Sequence, residues 1–519
     1  MNLLKCCNYM SGYARIAILS SLCFFSNYAS AKVGSISNST QELSDKITHM
    51  IKTSLPDATV GVVVQDVATN EILYDYHGSK LFLPASTTKL FTAAAALKLL
   101  GPEYRYETSL YYSQTARQAD GYKGDIALQF TGDPSFRLAS LYSLLQKLSA
   151  AHIKVIHGNL IIDDSIYVGP MLGLGWTWDS TAWHHSAPVA AIIIDHNQFG
   201  VTLYPNVPIG TRVMAALDQK NPSSKFRTMN ADIKAVTYAD SESLCQLSAV
   251  IDERNNIELG GCWPVGKQPV HLRMAIKNPR LQAQQLILEA LEKLDIKLLG
   301  KIKFASVPAN LVKIAHHSSE PLPVLLKPIL SDSNNLYAES LTKTLGARVF
   351  GTGSFKTGAT AVQRVLSEAT GIDFAQTRML DGSGESRYNL FTPRHLILLL
   401  CSMQREPKLY GHFRNALAIS GMSGSLQNRF TKFSSEVRAK TGTLSGVSTL
   451  AGYFTTDNKR EIIVAIMINH ALESNAILKQ FEEAGRKSSN VKQYQLWRHD
   501  NKPIEVWSNK VIDEKLYYI

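Results

Sequence analysis

From about Gln41 to Leu55 the apolar residues Leu43, Ile47, Met50 and Ile51 fall on one helical face, and this spacing predicts an amphipathic helix. The period then changes. Thr59–Val67 is β-branched and apolar, Ala68-Thr69-Asn70 reads as a turn, and Glu71–Tyr76 reads as the second strand of a hairpin. Leu90–Leu100 is rich in alanine and leucine and stops at Gly101-Pro102, which predicts a helix with a defined end. Near the end of the chain, Glu436–Ala439, Val447–Phe454 and Glu461–Asn469 read as three consecutive strands, followed by a helix from about Glu473 to Gly485. Helical patterns also fill Asn335–Phe350, Ala359–Ala369 and Pro393–Met403. Strands at both ends with helices between them predict an α+β fold, an antiparallel sheet flanked by helices.

The pattern from Tyr104 to His271 is different. Short β-like runs such as Asp125–Phe130, Gly158–Asp163 and Phe199–Leu203 alternate with Gly, Pro, Asn and Asp. They read as one or two inserted strand-rich domains. A chain of 519 residues, 45% hydrophobic and 19% charged, exceeds what one core usually spans and carries no signature of disorder. The expected partition is a discontinuous main domain over 32–103 and 272–487, an insert over 104–271, and an extension over 488–519 whose role is not legible.

Residues 1–31 stand apart. Lys5 and Arg15 precede the apolar run Ile16–Phe25, and Ala29-Ser30-Ala31 has the small-x-small form of a cleavage site. The run is short for a bilayer, so a cleaved signal peptide is expected over an uncleaved anchor. Bulky Leu22 before Cys23 argues against lipidation. The formal charge is +11, of which the leader supplies two. A basic balance suits an anionic envelope, but no basic, aromatic-bearing motif indicates nucleic-acid binding. Export leaves Cys245, Cys262 and Cys401. Cys245 and Cys262 flank the turn-like stretch 252–256, and a bridge is favoured there over two free thiols. Cys401 lies in the apolar run Leu396–Met403 and reads as a buried helix residue.

The chemistry begins at Pro84-Ala85-Ser86-Thr87-Thr88-Lys89. Ser86 and Lys89 share a helix face one turn apart. A serine needs a neighbouring base to become a nucleophile, and a lysine can be that base only when its pKa is lowered. Free backbone N–H groups are available at the same helix start. Alone, Ser-x-x-Lys reads as a helix cap with a solvated lysine. Ser333-Asn334-Asn335 at the start of a predicted helix and Lys440-Thr441-Gly442-Thr443 on a predicted strand change that reading. Gly442 leaves the strand bare, so that a substrate backbone can approach. The ordered trio is a signature of penicillin-binding proteins and class A β-lactamases.

With these motifs the chain resembles class C low-molecular-mass penicillin-binding proteins, the D-alanyl-D-alanine carboxypeptidase/endopeptidase family, over nearly all of its mature length. The resemblance extends to Phe130-Thr131-Gly132-Asp133-Pro134, to Ser186-Ala187-Pro188 and Asp195-His196-Asn197, and to Asp381-Gly382-Ser383-Gly384 with Ser386-Arg387. It also covers Gly424-Ser425-Leu426 and Leu450-Ala451-Gly452-Tyr453. The long gap between Ser86 and Ser333, where two extra domains sit, is that family's hallmark.

The resemblance implies a penicillin-binding/β-lactamase-like transpeptidase domain with the following roles. Ser86 is the acylated nucleophile. Lys89 is its neutral general base, with its pKa lowered by nearby Lys440. Ser333 relays a proton to the leaving amine, and Asn335 holds the peptide amide and positions Lys89. Lys440, Thr441 and Thr443 bind the terminal D-alanine carboxylate. The N–H groups of Ser86 and Thr443 form the oxyanion hole. Asp195 and Arg387 are expected to read the diaminopimelate end of the stem peptide. Ser445 departs from the longer polar residue of some relatives, which leaves fine substrate preference open.

No cofactor or metal is implied, and His184-His185 and His316-His317 are expected to be structural. The implied partners are peptidoglycan stem peptides and, as covalent inhibitors, β-lactams, in the periplasm. Peripheral contact with the envelope membrane is compatible with the charge; the oligomeric state is not legible. A serine β-lactamase would be about half this size and would need a deacylating base for which no loop motif is evident. A non-catalytic scaffold would need no activated nucleophile.

Overall fold

A computed structural model describes residues 38–483, apart from 114–115, 119–120, 219–225, 244, 434–435, 457, 473–477 and 480–481. The leader, the extension after 487 and most of the helix expected from Glu473 lie outside the described residues. One six-stranded sheet joins the two ends of the described chain. Its order is Ala418–Ile419, Val437–Leu444, Val447–Thr455, Glu461–Asn469, Thr59–Asp66 and Ile72–Tyr76. Every pairing in it is antiparallel. Thr59–Asp66 runs against Glu461–Asn469 from Thr59↔Asn469 to Asp66↔Ile462.

Side chains alternate across a strand, and both faces of this sheet are covered. Val60, Val62, Val64, Ile462, Val464, Ile466 and Ile468 enter one core with Ile47 and Ile51 of the helix Asn38–Ser54. Val63, Ile463, Ala465 and Met467 enter the other, beneath the main helices. That is why the central strands read as unbroken apolar runs. Among these helices, Thr88–Leu100 is buried from Thr88 through Leu97, and its alanines admit neighbours on all sides. Asn335–Phe350 starts where Asn334 Oδ1 accepts from Tyr337 N, at 3.1 Å, and stops at left-handed Gly351. Phe355–Thr370 begins earlier than the apolar pattern alone indicated, because Ser354 and Thr357 form a capping box. Pro393–Gln404 buries Cys401, which is a free thiol.

Among the described residues the insert has two large cores and a small one around Ala127, Ile161 and Leu311. A five-stranded sheet of order Ile302–Phe304, Leu160–Asp163, Ile126–Gln129, Glu107–Tyr112 and Val312–Ser318 packs with the helices Leu138–Ala150 and Pro279–Lys293. A separate core lies between two three-stranded sheets containing Gln198–Tyr204 and Ile257–Pro264. A Cys245–Cys262 disulfide staples the second of these sheets.

The expected boundary at 271/272 is corrected. Strand Val270–Ala275 crosses it, paired to Gln198–Tyr204. The chain leaves the insert only after Val312–Ser318 has paired with Glu107–Tyr112. Ser319 N and Leu322 N then donate to Tyr106 O and Tyr104 O, closing the neck. The returning strand is half exposed and polar, so its sequence did not betray its partner. Among the described residues no helix is long and apolar enough to cross a membrane.

Candidate active site

Ser86 sits in a single turn, Ala85–Thr87, that feeds the helix Thr88–Leu100. The turn is fastened from the sheet: Thr449 Oγ1 donates to Pro84 O at 2.8 Å. Lys89 follows one turn later and is fully buried. Its Nζ lies 2.8 Å from Ser86 Oγ, 2.6 Å from Asn335 Oδ1 and 2.7 Å from the carbonyl of Ser383. Two of those three oxygens can only accept. A neutral amine therefore donates its two hydrogens to Asn335 and Ser383 and turns its lone pair to the one neighbour that can give a proton, Ser86.

Burial is the main cause that lowers Lys89 to about 8, and Glu385, Glu339 and Asp381 oppose it. Burial, rather than the Lys440 charge, is thus the first cause of the lowering. Lys440 is also fully buried, and its amine is pushed well below the usual lysine range, first by burial and then by facing Lys89. Lys440 Nζ donates to Ser333 Oγ at 2.9 Å and to Thr441 O at 2.7 Å. Thr441 Oγ1 continues the chain to Ser425 Oγ at 2.8 Å. Ser333 takes a left-handed backbone (φ 60°), which turns the chain just before Asn334 caps the next helix.

The Asn335 amide is fully used. Its Oδ1 faces Lys89, and Nδ2 donates to His185 O and Glu385 Oε2, each at 2.9 Å. With both hydrogens committed, positioning Lys89 fits the geometry better than holding a peptide amide. The loop 381–387 supplies the other side of the site. Asp381 accepts from Gly384 N, Ser386 N, Asn389 Nδ2 and Trp176 Nε1. Glu339 accepts from Gly382 N and Ser383 N, while burial and Asp381 push its carboxyl up to about 8. These two buried acids hold the Ser383 carbonyl over Lys89.

Gly442 also has a reason within the fold. A Cβ there would lie 2.8 Å from Ser86 N and 3.0 Å from Ala85 Cβ. It would meet Thr449 Oγ1 first, so Gly442 permits the close approach of both the neighbouring strand and the nucleophile's own turn to the strand Val437–Leu444. Gly384, at φ 84°, likewise has no room for a Cβ, because Ala85 O occupies it. Thr443 follows Gly442 with an exposed side chain at the open end of the site.

Ser86, Lys89, Ser333, Asn335, Lys440, Thr441 and Gly442 thus converge. Arg387 lies at the rim: its Nη2 donates to Ser445 O at 3.1 Å, two residues beyond Thr443. Asp195 does not join it. The Asp195 carboxylate accepts from Leu138 N at 3.4 Å and lies 3.9 Å from Arg137, so it serves the start of an insert helix. The paired clamp expected of Asp195 and Arg387 is not assembled by these contacts. Two participants were missed by sequence reasoning. His185, expected to be structural, has a position in the site that its sequence does not signal: its backbone carbonyl holds Asn335. Glu385 lies between Gly384 and Ser386 of the loop 381–387. Nothing in its spacing signals a role; only the fold brings it to Asn335.

The chain is similar to known proteins over most of its length. A model of the "D-Ala-D-Ala carboxypeptidase 3 (S13) family" matches residues 41–488. The chain is 33% identical over 423 residues to a D-alanyl-D-alanine carboxypeptidase DacB of Haemophilus influenzae, covering 80% of this chain and 86% of that one. It is 33% identical over 419 residues to a D-alanyl-D-alanine carboxypeptidase of an Actinomadura species, covering 77% and 76%. The crystal structure of penicillin binding protein 4 from Haemophilus influenzae superposes with a TM-score of 0.76 at 33% identity, over 84% of this chain and 98% of that one. A second structure of that protein, complexed with a β-lactam, gives 0.73 at 31% identity, over 85% and 98%.

Proposed function

The chain belongs to the D-Ala-D-Ala carboxypeptidase 3 (S13) family and is a D-alanyl-D-alanine carboxypeptidase of the penicillin-binding type; we propose that it works through an acyl-enzyme on Ser86. Lys89 takes the Ser86 hydroxyl proton on its lone pair as Oγ bonds to the carbonyl carbon of the penultimate D-alanine. The carbonyl oxygen becomes an oxyanion held by the N–H groups of Ser86 and Thr443. The C–N bond then breaks, and the proton that left Ser86 reaches the departing nitrogen by way of Ser333. In the second half, water bonds to the acyl carbon, Lys89 takes a water proton, and that proton returns to Ser86 Oγ as the ester breaks.

The observation that carries this reading is the placement of Lys89 Nζ, with two acceptor-only partners and one hydroxyl. Lys440 with Thr441 and Thr443 binds the terminal carboxylate. An arriving carboxylate restores the charge that burial disfavours on Lys440. The substrates are peptidoglycan stem peptides, and D-Ala–diaminopimelate cross-links are a second substrate through the same acyl-enzyme. The enzyme acts after export to the periplasm. β-Lactams enter as substrate mimics whose opened ring keeps the leaving nitrogen tethered, so the ester persists. Intact-protein mass spectrometry after treatment with penicillin tests this. One added drug mass is expected on the wild type and none on Ser86→Ala. An adduct that survives in that variant places the nucleophile elsewhere.

A further inference from the structure

Glu385 is an acid on the wall of the site, its side chain only 12% exposed, and the acylation steps above do not use it. Its Oε2 accepts from Asn335 Nδ2 at 2.9 Å, and its Oε1 accepts from Ser186 Oγ at 3.1 Å. Its own N–H is fixed by Ser383 Oγ at 3.2 Å. One short loop thus grips Lys89 twice, through the Ser383 carbonyl directly and through Glu385 and Asn335 indirectly.

An amide is nearly symmetric in shape, so packing alone does not decide which end faces Lys89. A carboxylate does decide it, because it only accepts. With Glu385 and the His185 carbonyl on one side, Nδ2 must point to them and Oδ1 to Lys89. We propose that Glu385 is a positioning residue for acylation: it locks the Asn335 amide in the orientation that aims Lys89 at Ser86, and its charge sets how readily Lys89 gives up its proton. The inference rests on the role of Ser86 and Lys89 stated above.

The electrostatic part has a definite sign. Glu385, Glu339 and Asp381 all favour the Lys89 ammonium. Lys440 faces Lys89 across the site. The group facing Glu385 is His185, with Nε2 4.0 Å away and with Arg273 and Asp179 beyond it. Burial is the first cause lowering the His185 pKa; Glu385 opposes it, Arg273 adds to the lowering and Asp179 opposes it in turn. Acylation needs neutral Lys89, so its rate rises with pH through the Lys89 pKa. Removing a charge that holds the proton on Lys89 lowers that pKa and moves the rising limb to lower pH.

The test measures the second-order rate of acylation by penicillin against pH, for wild type, Glu385→Gln and Glu385→Leu. The Gln variant can still offer a carbonyl oxygen to Asn335 Nδ2. Its limb is expected to move down by roughly half to one pH unit with the plateau nearly kept. The Leu variant loses the acceptor as well. Its plateau is expected to fall about 10-fold or more, as misaimed reacting groups do. A purely structural Glu385 would lower the melting temperature of both variants and leave the limb in place. A Gln variant with the wild-type limb, or a Leu plateau equal to the Gln plateau, overturns the proposal. If wild-type Ser86 is not acylated at all, the underlying reading fails and this one with it. If wild-type acylation is normal and only the limb stays fixed, this proposal alone fails.

Discussion

Lys89 and Lys343 lie in two parts of the same body, and burial lowers both to about 8. Their surroundings differ. On the floor of the site, Lys89 meets two acceptors and the hydroxyl of Ser86. Behind the helix Asn335–Phe350, Lys343 donates to the carbonyls of Pro170 at 3.0 Å and Val189 at 2.8 Å. Its remaining side is covered by the face of Phe355, 4.4 Å from Nζ to the ring centroid. Every partner of Lys343 takes hydrogen or charge, and none gives a proton. Lys343 pins the segment that crosses from the insert onto the catalytic helices, whereas Lys89 is poised to accept. A depressed lysine pKa marks costly burial, and the identity of the third neighbour separates a base from a staple.

The sharpest way to break this contrast is Lys89→Ala. The base is lost, and acylation per folded molecule is expected to fall by roughly 10²–10⁴-fold, while Asn335 Oδ1 and the Ser383 carbonyl lose their buried donor at a stability cost of about 1–3 kcal/mol. Stopped-flow acylation and a thermal melt on the same sample check both halves. Near-normal acylation would remove Lys89 from its role.

Lys440→Ala comes next. A charge-assisted hydrogen bond to a carboxylate contributes about 1.5–3 kcal/mol, so hydrolysis of peptides with a free terminal carboxylate is expected to slow by about 10- to 150-fold. Peptides whose terminus is amidated should lose far less. Because burial is the first cause of the Lys89 pKa, the rising limb should move only slightly upward in this variant. Equal losses on both kinds of peptide would mean that Lys440 does not read the carboxylate.

Lys343→Met addresses the other half of the contrast. Two buried carbonyls lose their donor, a cost of about 1–3 kcal/mol, and acylation per folded molecule should be unchanged. The pH dependence carries a second signature. Between about 8 and the ordinary lysine value of 10.5, the unfolded chain holds a proton that folded Lys343 has shed. Stability therefore rises with pH across that window. The Met variant should show a shallower rise, with Lys89 supplying part of what remains. A rise as steep as the wild type's would mean that Lys343 stays charged when folded.

What the sequence made legible follows the same division. Period and caps revealed the helix Asn335–Phe350 and the central strands, because local pattern and burial agree there. Ser86, Lys89, Ser333, Asn335 and Lys440 were legible because each motif is short and its spacing is set within one element. Contacts between distant segments were not. Val312–Ser318 alternates weakly and gave no hint that it closes the sheet at Glu107–Tyr112. Glu385 carries no signal in the sequence, since nothing local tells a buried carboxylate from an exposed one. Gly442 is legible as a place of close approach, but only the fold shows that Thr449 and the Ser86 turn are among the neighbours it admits.

The smallest expected effect concerns the rim. Arg387 is half-buried beside the open end of the motif strand, and among the described residues its guanidinium donates to the Ser445 carbonyl, a contact that a substrate carboxylate can replace. Such a replacement would form two parallel hydrogen bonds where one now stands. A stem peptide long enough to carry the free diaminopimelate carboxylate can reach the rim, and a small β-lactam cannot. Arg387→Ala is therefore expected to lower kcat/KM on diaminopimelate-containing peptides by roughly 5- to 30-fold, as for one exposed charge-assisted contact. Its acylation by penicillin should stay within about twofold of wild type. Asp195→Ala serves as the internal control. Its carboxylate supports the start of the helix Leu138–Ala150, so its loss should appear in the melting temperature and not in the choice between peptides. If Asp195→Ala instead shows the same peptide-selective loss as Arg387→Ala, the two act together as a clamp after all, and Asp195 must leave the helix start to reach the substrate.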